Sequence, residues 1–327
     1  MDRRTFLAAL PVALWPAQLG AQRAKDALPR IGILSLRSPT DATPLSEALM
    51  QGLRERGYVD GRTVVIEFPD ARGRETSLPK LAAELVEKRV DVILVVGPAP
   101  IHAARLATRT IPIVMVASSA DPVAEGLAQS LARPGGNITG LTYAEPDRFK
   151  KQLELLKSVA PRIARVVVLW DFDVQTYRAF WQTPLADAAG ILGIAVVEPL
   201  EVRAANDLPA AFARIRQHAD ALLVASGGAN FSARADIARL ALEHRLPAIA
   251  AFKEFPQAGL LMSYGPDLPD INHRAGGFVD RILKGANPAD LPIELPNKFE
   301  LVINTQTARA LGLVVPPEMQ ARVDRLI

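Results

Sequence analysis

The stretch "PIVMVASSADPVAEGLAQSLARPGGNITGLTY", Pro112 to Tyr143, decides how this chain is organised. An apolar run stops on Ser118-Ser119-Ala120-Asp121-Pro122, a short helix-like segment follows, and Arg133-Pro134-Gly135-Gly136-Asn137 turns the chain into a second apolar run. Near-continuous apolar runs mark strands buried on both faces of a parallel sheet. Pro-Gly-Gly is turn chemistry that ends a helix. The stretch therefore reads as the last strand and helix of one α/β unit, with Asn137–Tyr143 carrying the chain over to another.

The same unit repeats on both sides. Upstream, "RIGILSL" (30–36), "TVVIEF" (63–68), "VDVILVVG" (90–97) and "IPIVMVAS" (111–118) read as strands. Helices are expected between them. In "TPLSEALMQGLRERGY", Thr43 is the N-cap, Pro44 opens the first turn, and Leu45, Ala48, Leu49, Gly52 and Leu53 share one face. Downstream, "RVVVLWD" (165–171), "AVVEPLEV" (195–202), "ALLVASGG" (221–228) and "PAIAAF" (247–252) alternate with helices around 177–189, 208–218 and 234–244. Such alternation predicts two doubly wound, Rossmann-like α/β lobes with parallel sheets, joined by a hinge of two or three crossings. The C-terminal part holds an amphipathic helix (271–284), a Pro-rich passage, a strand (299–304) and a short helix. The expected division is 29–139 with about 265–293 in lobe 1, and 140–264 with about 294–327 in lobe 2.

Composition narrows the function. Of 327 residues 49% are hydrophobic, enough for large cores, and the net charge is only +3 with no basic block, which argues against nucleic-acid binding. There is no cysteine, so disulfides, thiolate metal sites and Cys nucleophiles are excluded. The leader "MDRRTFLAALPVALWPAQLGAQ" has Arg3-Arg4 before an apolar stretch too short to span a bilayer. It reads as a signal peptide of twin-arginine type, cleaved near residue 21, which places the mature protein in the periplasm.

In open parallel sheets ligands sit beyond the carboxyl ends of the strands. Here those ends carry Ser35 with Ser38, Gly97-Pro98, Ser118 with Asp121, Asp171 with Asp173, and Ser226-Gly227 with Asn230. If two lobes face each other, all of these line one cleft. Helix N-termini there favour a carboxylate, and Asp121 and Asp171 an ammonium group, so an amino acid or related zwitterion fits. Tyr143, Tyr264, Trp170 and Phe231 supply an apolar wall. Each residue also has a plainer role: Ser118, Ser226 and the glycines in caps and turns, Asp121 before Pro122 at a helix start, Asp171 and Asp173 in a solvated loop, Trp170 in the core. The histidines 102, 218, 244 and 273 lack metal-ligand spacing, and no nucleophile elbow, P-loop or dinucleotide fingerprint is present, so neither a metal nor a cofactor is expected.

The segments "DPVAEGLAQSLARPGGNITGLT" and "FKEFPQAGLLMSYGPDLPDINHRAGGFVDRILKGANPADLPIELPNKFELVINTQTARALGL", with the Arg-Arg-Thr-Phe-Leu leader, resemble the ABC-transporter substrate-binding proteins of the tryptophan/tyrosine-type group, from about Arg30 to Ile327. The resemblance implies a type I periplasmic-binding-protein fold, no catalysis, closure of two lobes on a small ligand, a monomer, and as partners a membrane permease with its cytoplasmic ATPase. The best-understood relatives bind aromatic amino acids. Where relatives usually have Asn-Pro after the first strand of lobe 2, this chain has Trp170-Asp171-Phe172-Asp173. Two other readings stay open: a ligand sensor for a membrane receptor, and an exported α/β enzyme using Asp121 and Asp171.

Overall fold

Side-chain alternation along the apolar runs builds the cores. The computed structural model of the chain describes residues 27–36, 38–40, 43–119, 121–144, 146–170, 182–197, 200–202 and 205–327. In its first sheet, strands β1 (Arg30–Ser35), β2 (Val65–Glu67), β3 (Val92–Val96), β4 (Ile113–Ser118) and β5 (Ile138–Thr142) run parallel in the order β2-β1-β3-β4-β5. Val92, Leu94, Val114 and Val116 join one buried cluster; Ile93, Val95, Ile113 and Met115 join another on the opposite face. Both faces are buried, so the sequence shows no polar alternation.

The second sheet contains β6 (Arg165–Trp170), β7 (Ala195–Val196), β8 (Leu200–Glu201), β9 (Ala221–Val224), β10 (Ala248–Ala250), β11 (Met262–Pro266), β12 (Phe299–Ile303) and β13 (Arg325–Leu326). Their order is β13-β12-β11-β10-β9-β6-β7, with β8 also on β6. The pairings are parallel except for β11 with β12, which is antiparallel. Val167, Leu169, Leu222 and Val224 face the cluster that also holds Val92 and Val114 of the first sheet, so one apolar core is continuous between the lobes.

The helices follow their caps. In α1 (Pro44–Arg54) the Thr43 hydroxyl accepts from the Ser46 amide and the Ser46 hydroxyl from the Thr43 amide. Helices α2 (Leu78–Glu87), α3 (Pro98–Ala107) and α4 (Pro146–Val159) come next. The later helix Leu268–Leu283 returns to the first sheet: it packs on α1 and β4, with Gly276 and Gly52 in backbone contact. Leu106 in α3 and Ile191, the last residue of the helix Gln182–Ile191, stand in solvent, 83% and 71% exposed.

Two expectations need correction. The segment after Pro122 is not a helix. It makes turns closed by Glu125 N–H to Asp121 O and Leu127 N–H to Pro122 O, and Gly126 at φ +63° breaks the helical path after one turn. Residues Asn137–Tyr143 do not cross between lobes as a linker: Ile138–Thr142 is β5, a full member of the first sheet, because its apolar residues complete the edge of β4. The crossing follows at Tyr143. The chain crosses again between β11 and the helix Leu268–Leu283, and once more before β12.

Candidate functional site

The junction of the two sheets is shaped by a bulge. The register between β4 and β5 shifts between Met115 and Ser118, and Ala117 takes a left-handed φ of +47°. Opposite, Gly140 sits at φ +125°, where an added Cβ would lie 2.3 Å from the Met115 carbonyl. The shift aims the Ser118 carbonyl at the crossing: it accepts from Thr142 Oγ1 at 3.1 Å and from the Tyr143 amide at 2.9 Å. The carboxyl end of β4 is thus stitched to the chain as it leaves lobe 1.

Tyr143 then meets lobe 2. Its ring stands edge-on to Phe252, just beyond β10, at 5.5 Å between centroids. Phe252 contacts Phe231 at 6.0 Å, and Phe231 contacts Phe255 at 6.2 Å. Arg148, in the first turn and a half of α4, completes the group. Its guanidinium carbon lies 5.5 Å from the Tyr143 ring centre and 5.1 Å from that of Phe149, and its Nη1 donates to Ser226 Oγ at 3.2 Å. Gln152, one turn on, donates to the carbonyls of Ala250 and Tyr264, which sets the rotation of α4 over β10 and β11.

The expected site residues divide accordingly. Ser118, Tyr143 and Ser226 come together at the junction, Ser226 through Arg148. Ser35 ends β1 and is buried, and Ser38 lies beyond it with its hydroxyl 2.9 Å from that of Thr40. Gly97, at φ +90°, leads into α3, which opens on Pro98. Gly227 precedes the short helix Gly228–Ser232. Three are engaged elsewhere. The Asp121 carboxylate accepts from the amides of Val123 and Ala124 and closes its own turn. The Asn230 amide, fully buried, donates to the carbonyls of Leu169 and Ala225 and ties β6 to β9. Tyr264 stacks on Phe299 across the β11–β12 pair. Trp170 ends β6 inside the α4-side core, and Asp171 and Asp173 lie outside the described residues.

Sequence reading missed Arg148 and Phe252. The signal for Arg148 was present: residues 148, 152, 155, 156 and 159 share a helix face whose other members are buried, so Arg and Gln there occupy core positions. Phe252, just beyond β10, opens the segment FKEFPQ that carries the family resemblance, but its apolar side chain at the end of an apolar run gave no separate signal of a site.

An ionic ring borders the junction. Lys253 Nζ lies 2.8 Å from Glu300 and 3.6 Å from Asp267, while Lys298 Nζ lies 2.8 Å from Asp267 and 3.6 Å from Glu300. Burial works against ionisation of Asp267, yet the Lys298 hydrogen bond and the Lys253 charge hold its carboxyl below the ordinary value. Burial pushes the Glu254 carboxyl up. Among the described residues no group of three or more His, Asp or Glu side chains has metal-holding geometry, and no helix is long and apolar enough to cross a membrane.

A family model described as ABC transporter substrate binding protein matches residues 40–327. A tyrosine-binding protein of Clostridioides difficile strain R20291 is 28% identical over 284 residues, covering 86% of this chain and 81% of that protein. Among solved structures, an ABC domain from Streptococcus pneumonia in complex with L-Trp superposes with a TM-score of 0.83 at 24% identity, covering 92% of this chain and 100% of the other. A ligand-free, open substrate-binding protein with adhesive properties from Clostridium difficile gives 0.68 at 25% identity, covering 91% and 99%.

Proposed function

Because the chain belongs to the ABC transporter substrate-binding protein family, whose members bind solutes, we propose that it captures a small amino acid, aromatic in its side chain, between its two lobes and delivers it to an import permease. In this reading lobe 1 is 29–142 with about 267–293, lobe 2 is 144–266 with about 294–327, residues 1–21 export the protein, and no chemistry is performed on the ligand. The observation that carries it is the meeting of Ser118, Tyr143, Arg148, Ser226 and Phe252 at the carboxyl ends of β4, β9 and β10. Polar groups that fix orientation stand there beside aromatic faces, which is the make-up of a small-molecule site. The tyrosine-binding and L-Trp-bound relatives supply the ligand class. Binding then works by population shift: a ligand that touches both lobes favours the closed state by its differential affinity.

A melting screen of the purified chain against amino acids, small acids and polyamines tests this. A ligand at 100 times its dissociation constant adds about 2.7 kcal/mol, a shift of several degrees. L-Trp or L-Tyr is expected to produce it; a panel without any shift would end the receptor reading.

A further inference from the structure

Within the receptor reading just given, on which this inference rests, we propose that Lys253 is a positioning residue of the interlobe site. By fastening two of the three crossings to lobe 2, it sets the angle at which the lobes rest and so how tightly ligand is held. It touches no ligand and acts through the crossings.

All three crossings meet the dipeptide Phe252-Lys253, immediately beyond β10. The first, at Tyr143, meets the Phe252 ring at 5.5 Å between centroids. The second, between β11 and the helix Leu268–Leu283, meets Lys253 Nζ, which lies 3.6 Å from the Asp267 carboxylate. The third leads from Glu294, whose amide donates to the Gly140 carbonyl of lobe 1, to β12. Lys253 Nζ holds that crossing through Glu300 at 2.8 Å. Lys298 closes the circuit, 2.8 Å from Asp267 and 3.6 Å from Glu300, so cations and carboxylates alternate around a ring of no net charge.

The second and third crossings hold each other without Lys253. The Asp267 amide donates to the Lys298 carbonyl at 3.3 Å, and Pro266 pairs with Phe299 across the antiparallel strands. Lys253 adds their attachment to lobe 2, one residue from the contact with Tyr143. Asp267 is the N-cap of the helix Leu268–Leu283, which packs on α1 and β4 of lobe 1. A rotation of the lobes is taken up in a few crossing residues, and it carries Asp267 with lobe 1 relative to Lys253. The side chains of Lys253, Asp267 and Glu300 are largely shielded from solvent, so parting them strands a desolvated carboxylate. The ring therefore favours the arrangement seen here, in which Tyr143 and Phe252 touch and one apolar core runs on between the lobes. Without Lys253 fewer molecules rest in that arrangement, and apparent affinity falls with the fraction.

The test combines small-angle X-ray scattering of the ligand-free full chain with calorimetric titration by L-tryptophan and L-tyrosine. Lys253→Met keeps the aliphatic stem and removes the charge. Its ligand-free radius of gyration is expected to exceed that of wild type, while the ligand-saturated values agree. Its affinity should fall roughly three- to tenfold. Lys253→Arg, which keeps the charge, should restore the radius and bring the affinity to within about twofold of wild type. If Lys253→Met does not fold, Glu300→Gln, which removes the 2.8 Å partner, takes its place with the same expectations. A lower melting temperature with wild-type radius and wild-type affinity overturns the positioning role and leaves the receptor reading intact. Failure of wild type to bind either amino acid overturns both.

Discussion

Ala117 and Gly140 show how much of the site is set by single backbone positions. Ala117 holds φ +47°, a conformation that costs an L-residue roughly 1–2 kcal/mol, at the point where the Ser118 carbonyl must turn toward Thr142 and Tyr143. Ala117→Gly is expected to raise stability by up to about 1 kcal/mol in urea titration, because glycine adopts that φ without strain. Gly140→Ala should do the opposite, by roughly 1–3 kcal/mol or more, since its Cβ would strike the Met115 carbonyl at 2.3 Å. A Gly140→Ala protein as stable as wild type would mean that β4 and β5 can slide past the bulge. None of this was readable beforehand: "MVASS" and "NITGLT" look like ordinary strand text, and a register shift arises only from pairing. Ser118, Tyr143 and Ser226 were legible as strand-end residues because the alternation of strands and helices predicts where such ends gather. Asp121 was legible both as a polar residue at such an end and, before Pro122, as a helix-start device; its carboxylate does accept the amides that follow, but they belong to a turn rather than a helix because Gly126 breaks the path.

At the scale of elements, the strands with unbroken apolar runs were evident and the second half of lobe 2 was not. β11 reads "MSYGP", with a glycine and a proline that argue against a central strand. Gly265 is needed there because the Ala251 carbonyl lies 2.1 Å from where its Cβ would be, and Pro266 ends the strand at the crossing. The ionic ring of Lys253, Asp267, Lys298 and Glu300 spans the ends of β10, β11 and β12, at two of the crossings. Its two cations differ in setting: the Lys253 side chain is 24% exposed and that of Lys298 57%. Removing the more buried partner leaves two carboxylates facing each other with less solvent, so Lys253→Met should lower the melting temperature more than Lys298→Met, and its effect should shrink less in 1 M salt. The reverse order would mean that the ring is a surface feature without a part in holding the crossings.

For the whole molecule, titration gives a stability profile whose limbs have named owners. Burial and the hydrogen bond to Asp280 push the Tyr58 phenol up to about 12, above the ordinary phenol range. Against burial, the bond to Glu300 and the charges of Asp267 and Glu300 raise Lys253 as well. Groups raised on folding give stability that is whole below their unfolded values and lost as pH climbs through the folded ones, so the alkaline limb should fall from about pH 10 to 12. Asp267, Asp280 and Asp220 are lowered, and their contribution is present above ordinary carboxylate values and lost as pH drops below them. Circular dichroism melts of Tyr58→Phe should show a shallower alkaline limb and a smaller change on the acid side, where Asp280 loses one of the hydrogen bonds that lower it but keeps that of Lys284; an alkaline limb parallel to wild type would assign that loss elsewhere. The two-lobe architecture was legible from periodicity alone, whereas the continuous core between the lobes was not, because no residue pattern announces which faces will meet. Finally, Leu106 and Ile191 stand in solvent, one in each lobe, in a chain that contains no cysteine. Leu106→Cys with Ile191→Cys therefore gives a protein whose only two thiols lie on opposite sides of the hinge. Donor and acceptor dyes attached there report interlobe distance molecule by molecule through energy transfer, without background labelling.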